Sequence, residues 1–258
     1  MKEETFVESP MPIFTAALSP DGQIVAWSLE DHSIQLIRVS DGKLLNTLPG
    51  HTDIVFKLRF SASGDRLFSG SHDGSVRIWD IDGHLLQVIQ TNGEVLGIGI
   101  SSDGTKLATI PFDGPVELWD LRSYQKTSEL GGTGGFDTSD AVFSPDGDYL
   151  AADLATGLFL WRLSDGKSMW EDLKNSLTVA FSPDGRYLAY ADTDANKIIL
   201  SSRDGAGVIQ TWEAMQGTVW ELFFSPDNSM LAATDGSEIR IWQADHGELL
   251  YVGKPSCP

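Results

Sequence analysis

The chain is 258 residues long, with hydrophobic residues at 41% and charged residues at 21%. That balance belongs to a soluble globular chain and argues against intrinsic disorder or a bundle of membrane helices. Lys and Arg number 18 against 37 Asp and Glu, a formal charge of −19. No basic stripe is left to follow a phosphate backbone or an anionic lipid surface, so neither nucleic acid nor membrane is expected as a partner.

In chain order, residues 1–12 read MKEETFVESPMP and lack the basic and apolar regions of a signal peptide. No later apolar run reaches the ~18 residues of a membrane-spanning helix, and the expected compartment is cytoplasmic. Within this N-terminal segment, Thr5–Glu8 is suited to pair at the edge of a sheet as a closing strand. From residue 13 to residue 254 the chain repeats itself, and 255–258 remain as a tail. That tail holds the single cysteine, Cys257, which has no intramolecular disulfide partner.

The repeat has two markers that keep step. One is a turn tetrapeptide: SPDG at 19–22, SASG at 61–64, SSDG at 101–104, SPDG at 144–147 and 182–185, and SPDN at 225–228. The other is an apolar strand ending in tryptophan, at Trp79, Trp119, Trp161 and Trp242, with Ile37 and Ser201 in that place in the first and fifth copies. The second copy predicts strands at Ile54–Phe60, Arg66–Ser71, Ser75–Asp80 and His84–Gln90, from short apolar or alternating runs bounded by turn residues. Eleven Asp-Gly dipeptides punctuate the chain and predict type I′ hairpin turns, in which both central residues take positive φ. No stretch sustains a helical period, so helix is expected to be nearly absent. Four-stranded units of about forty residues in tandem are the pattern of a β-propeller. The fold class is therefore all-β, with six recognisable blades of four antiparallel strands, or seven if a further blade lies beyond these residues.

The second copy resembles the WD-repeat family through Gly50-His51 and the run LFSGSHDGSVRIWD at 67–80, and Trp119-Asp120 repeats its terminal dipeptide. Other copies are degenerate, with Trp161-Arg162 and Trp242-Gln243. The resemblance spans roughly 13–254, and SPDGDYLAA and SPDGRYLAYAD also resemble TolB-type propeller repeats. It implies a structural tetrad of His51, Asp73, Trp79 and one serine, Ser69 or Ser71. In that network Asp accepts from His, and the serine hydroxyl links the imidazole to the indole N–H. The second copy alone carries a full set, so the other copies are expected to rely on packing and turns.

Several motifs imitate chemistry they cannot perform. Ser71-His72-Asp73 is not a catalytic triad, because neighbouring strand residues point to opposite faces. GGTGG at 131–135 lacks the Gly-Lys-Ser/Thr of a phosphate loop and reads as a flexible connection between blades. Asp192, Asp194 and Asn196 imitate the opening of a calcium loop, but Lys197 stands where its glycine belongs and the closing glutamate is missing. No metal, no cofactor and no catalytic residue is expected.

Binding is expected where loops converge on one face of the propeller. The resemblance points to the residue five before each turn serine, here Phe14, Phe56, Leu96, Ser139, Leu177 and Trp220, and to the residue before the b–c aspartate, here His72 and Phe112. Five of those six strand positions are large and apolar, which favours a protein or peptide partner. A register shift of one residue, as a bulge produces, would place them in the core instead. Residues 207–258 carry two basic residues against seven acids, which suits a partner with basic flanks. The resulting expectation is a non-catalytic interaction scaffold, monomeric or part of a larger chain. The alternatives are a propeller of the lactonase hydrolase type, a gating module of a larger enzyme, or a TolB-like periplasmic propeller.

Overall fold

The computed structural model describes residues 9, 11–135, 141–172, 178–192, 194–204, 207–215, 217–245 and 247–254. Thr5–Glu8, Ser139, Leu177 and Cys257 lie outside the described residues. Twenty-four strands form six four-stranded antiparallel sheets, each in up-and-down order. The first three are β1–β4 (Ile13–Leu18, Ile24–Leu29, Ile34–Arg38, Leu44–Leu48), β5–β8 (Val55–Phe60, Arg66–Ser71, Ser75–Asp80, Leu85–Gln90) and β9–β12 (Val95–Ile100, Lys106–Pro111, Val116–Asp120, Gln125–Leu130). The next three are β13–β16 (Ala141–Phe143, Tyr149–Leu154, Gly157–Arg162, Lys167–Asp172), β17–β20 (Val179–Phe181, Tyr187–Asp192, Lys197–Ser202, Val208–Glu213) and β21–β24 (Glu221–Phe224, Met230–Thr234, Ile239–Gln243, Leu249–Gly253). The fold is all-β, and its sheets are the blades of a β-propeller; no helix occurs among the described residues. The four strands of the second copy fall within one residue of their predicted bounds.

The chain divides into two compact units, Met1–Glu129 and Leu130–Pro258. In the first, Ala26, Leu36 and Leu48 of sheet one meet Val55, Leu58, Leu67 and Trp79 of sheet two. Phe68, Val76, Ile78 and Ile89 of sheet two then meet Val95, Ile98, Leu107 and Trp119 of sheet three. In the second unit, Leu158 and Leu160 of sheet four meet Val179, Phe181 and Leu188 of sheet five. Ile198, Leu200 and Trp212 of sheet five meet Leu222, Leu231 and Trp242 of sheet six. A central strand such as β6 is nearly all buried because a sheet covers each of its faces, which is why its residues run LFSGS instead of alternating. Gly70 is small for a reason: a Cβ there would crowd Val95 and Ile98 of the following sheet.

The repeated turn departs from the predicted type. Ser19 O accepts from Gly22 N at 2.8 Å, and Gly22 alone of the tetrapeptide has positive φ, 70°. With Pro20 fixing negative φ at the second position, this is a type I turn ended by a left-handed glycine. Among the described Asp-Gly aspartates only Asp113 has positive φ, 55°. The side chains latch the turn: Ser19 Oγ donates to Asp21 Oδ1 at 2.6 Å and accepts from Ile24 N at 2.9 Å, while Asp21 Oδ1 accepts from Gln23 N at 3.0 Å. Ser101/Asp103, Ser144/Asp146, Ser182/Asp184 and Ser225/Asp227 repeat the hydroxyl–carboxylate bond at 2.5–2.6 Å. In the second copy Asp65, two residues later, takes over for the missing aspartate at 2.8 Å.

Candidate functional site

The innermost strand of sheet two is bulged where a contact residue is expected. Val55 pairs with Ser71 and Lys57 with Gly70, leaving Phe56 as the extra residue. The bulge sets Val55 and Leu58 into the core and turns Phe56 outward, 36% exposed. Its ring stacks on His72, with centroids 5.3 Å apart and planes inclined by 19°. His72 sits at the end of β6, its N–H bonded to Ile54 O at 3.0 Å and its Nδ1 3.9 Å from Glu94 Oε2. The next loop anchor is similar, with Phe112 N donating to Glu94 O at 2.7 Å. Phe112 itself is half-buried.

The equivalent strands vary. Phe14 lies in the register shift of β1 between Ile13 and Ala16 and is 47% exposed. In sheet three the same bulge falls on Leu96, between the Gly97–Ile110 and Val95–Pro111 pairs. Leu96 is only 1% exposed, however, so it is corrected from a contact residue to a core residue. Leu96 shares the burial of the first five residues of β9. In the second unit Trp220 is 58% exposed, and its backbone N–H donates to Thr234 O at 2.9 Å. The structure thus brings Phe56 and His72 into contact, leaves Phe14 and Trp220 open, and withdraws Leu96.

Behind Phe56 and His72 lies a buried polar network. Trp79 Nε1 donates to Ser69 Oγ at 2.9 Å, Ser69 Oγ meets His51 Nε2 at 2.7 Å, and His51 Nδ1 meets Asp73 Oδ2 at 2.7 Å. The donors fit one arrangement: the hydroxyl donates to Nε2, and Nδ1–H donates to the carboxylate. Ser71 is not a member, because its hydroxyl donates to Asp53 O at 3.0 Å. Burial lowers the His51 pKa against the opposing pull of Asp73, which keeps the ring neutral at pH 7. Burial raises that of Asp73, but bonds from Ser75, His51 and Thr52 outweigh it and leave the carboxyl below its ordinary value.

Sheet three carries a second network that the sequence reading missed. Trp119 Nε1 donates to Thr109 Oγ1 at 3.0 Å, which donates to Glu117 Oε2 at 3.1 Å. The Glu117 side chain is fully enclosed and is met by Lys126 Nζ at 3.2 Å from Oε1. The signal was present: Thr109 occupies the place of Ser69, and Glu117 stands two residues before the aligned tryptophan. Ser71, His72 and Asp73 do not converge, since Ser71 Oγ accepts from Asp73 N at 3.1 Å while His72 turns to Phe56. Asp192 Oδ1 is bonded to Ala195 N at 2.9 Å. Among the described residues no three His, Cys, Asp or Glu side chains group as metal ligands.

The family description "WD domain, G-beta repeat" matches residues 42–80 and 207–243, one repeat in each unit. Among curated proteins the chain is similar to COMPASS component SWD3 of Saccharomyces cerevisiae, 40% identical over 33% of this chain and 27% of that protein. It is also similar to a periodic tryptophan protein 2 homolog of Schizosaccharomyces pombe, 35% identical over 45% of this chain and 14% of that one. Periodic tryptophan protein 2 of Arabidopsis thaliana aligns more widely, 26% identical over 78% of this chain but 22% of its own length. The aligned parts are thus about a quarter or less of these relatives. The tryptophan register, the blade-like sheets and the His51–Ser69–Trp79 network agree with these matches: this chain carries WD repeats at 42–80 and 207–243 and is similar to WD-repeat β-propeller proteins.

Proposed function

We propose that the chain is a non-catalytic scaffold that binds a protein or peptide partner on the loop side of its sheets. Phe56 and His72 form the contact centre of the first unit, Phe14 and Phe112 belong to the same loop side, and Trp220 is the contact residue of the second. The supporting observation is the outward bulge at Phe56, whose exposed ring rests on His72 at 5.3 Å. A large, preordered aromatic surface loses little freedom on binding and supplies most of the contact energy where it occurs. A relative named as a component of COMPASS supports a role within an assembly, and the excess of acid at 207–258 favours a partner with basic flanks.

A photo-crosslinking residue placed at 56, at 220 and at the exposed outer-strand position Leu85 tests this reading. Partners trapped from 56 and 220, absent from 85 and lost by competition with the unlabelled chain, are the expected result. Equal capture at 85 would move binding to the outer strands. In the chain without a crosslinker, Phe56→Ala should weaken affinity for the trapped partner by ~10-fold or more, the cost of a central aromatic contact.

A further inference from the structure

Arg77 is out of keeping with the rest of this acidic chain. It lies on β7, opposite Ser69 and two residues before Trp79, and its Nε is buried without a hydrogen-bond partner. Its guanidinium makes no ion pair among the described residues, whereas Arg38, Arg162, Arg186, Arg203 and Arg240 each have a carboxylate. The guanidinium rests on Gly50, where any Cβ would collide with it. On the β2–β3 turn of sheet one, which packs against sheet two, His32 has φ of 67° and a buried Nδ1 that is likewise unpartnered. Arg77 and His32 both bear electrostatically on His51, which follows Gly50.

The same chain shows what a guanidinium takes at this place. In sheet six Arg240 stands opposite Ala233 and two residues before Trp242. Its Nε meets the Glu238 carboxylate, and its Nη1 donates to Glu213 O at 3.3 Å and Ala214 O at 3.2 Å. In sheet two the residue in the position of Glu238 is Ser75, and its hydroxyl is spent on Asp73 at 2.6 Å. Asp73 is itself taken up by His51 and Thr52. Sheets one and three avoid the cation there, with Gln35 bonded to Trp27 at 3.1 Å and Glu117 bonded to Thr109 at 3.1 Å. Sheet two therefore keeps the cation and lacks its carboxylate.

We propose that Arg77, joined by His32 of the packed sheet one, is a carboxylate-binding seat, filled by a glutamate or aspartate side chain of a peptide partner. The planar fork of Arg77 is matched to a carboxylate. No hydrogen bond holds it against Gly50, so turning its edge toward a ligand breaks none. Residues 52–90 carry four basic residues against five acids, so an anion meets far less repulsion here than elsewhere on a chain of charge −19. This seat is distinct from the apolar contact of Phe56 and stands or falls separately.

The test titrates the full chain, labelled with nitrogen-15, with N-acetylglutamate amide while the Arg77 Nε–Hε and His32 ring signals are followed. Saturable shifts of both are expected, and the uncharged N-acetylglutamine amide should cause neither. Arg77→Gln places in sheet two the residue that sheet one already carries, and it should weaken the response at least tenfold. Phe56→Ala should leave it unchanged. Equal response to the glutamine compound, or no shift at any glutamate concentration, overturns the proposal even if Arg77→Gln fails to fold. Inorganic phosphate that saturates the seat at lower concentration than the glutamate compound, and displaces it, would assign the seat to phosphate and overturn the carboxylate reading.

Discussion

At the scale of single residues, the His51 network ties the fold to pH. Removing one member leaves buried partners unsatisfied, so His51→Gln is expected to cost about 2–4 kcal/mol. The unfolded imidazole titrates near 6.5, and the folded one lies lower because burial disfavours its cation. The unfolded state therefore takes up the proton first. The His51 contribution is whole above about pH 6.5 and is lost as pH falls from there through the folded value. Asp73, also lowered, contributes above its unfolded pKa and is lost further into acid, as pH falls through its folded value. Urea unfolding at pH 7 and pH 5 should show a fall in stability that is smaller in His51→Gln; an equal fall in both would assign the slope to other groups. The sequence left Ser69 and Ser71 equivalent, since residues two apart in a strand share a face. What separates them is which loop atom each hydroxyl reaches, Asp53 O or the imidazole, and that is not written in the spacing. Leu96 shows the same limit: its position in the repeat was legible, but its burial was not.

At the scale of elements, strand positions were legible because turn and tryptophan markers recur in register. The turn type was not, because an Asp-Gly dipeptide looks like the centre of a type I′ turn. With proline in second place the frame shifts by one, and glycine becomes the last residue of a type I turn. The latch is then the serine. In sheet three Ser101 Oγ donates to Asp103 at 2.6 Å and accepts from Lys106 N at 2.9 Å. The hydroxyl, with the backbone N–H of Thr105, holds the Asp103 pKa down to about 2. Ser101→Ala should cost about 1–2 kcal/mol, read by thermal unfolding, and should let the Asp103 titration rise toward its ordinary value in a carboxyl-carbon NMR titration. The depressed pKa means that this aspartate stabilises the fold above its unfolded pKa near 3.8 and loses that effect as pH falls toward 2. A Ser101→Ala chain with unchanged Asp103 titration would place the carboxylate's support in the N–H and hydroxyl of Thr105.

At the scale of the whole chain, periodicity carried the fold: six sheets follow from six copies of one turn. The division into two units has no counterpart in the spacing of the copies. Charge acts at this scale too. A formal charge of −19 makes the compact state repel itself, and raising ionic strength from about 0.01 M to about 0.15 M shortens the screening length from ~30 to ~8 Å. The melting temperature should therefore rise over that range. A fall would mean that the local ion pairs, such as Arg162 with Asp165, outweigh the general repulsion.

The serine latch has a consequence for covalent modification. Four turns begin Ser-Pro, at 19, 144, 182 and 225, the dipeptide that proline-directed kinases select. In the folded chain Ser144 and Ser182 are buried, and each hydroxyl is bonded to an aspartate. A phosphoryl group there would bring a charge of about −1.5 to −2 against that carboxylate and remove the turn's donor. Such a kinase should phosphorylate a peptide spanning 140–150 at Ser144 and leave the intact chain unmodified there; equal incorporation in both would refute this. Phosphate at these serines would thus mark chains that had not finished folding.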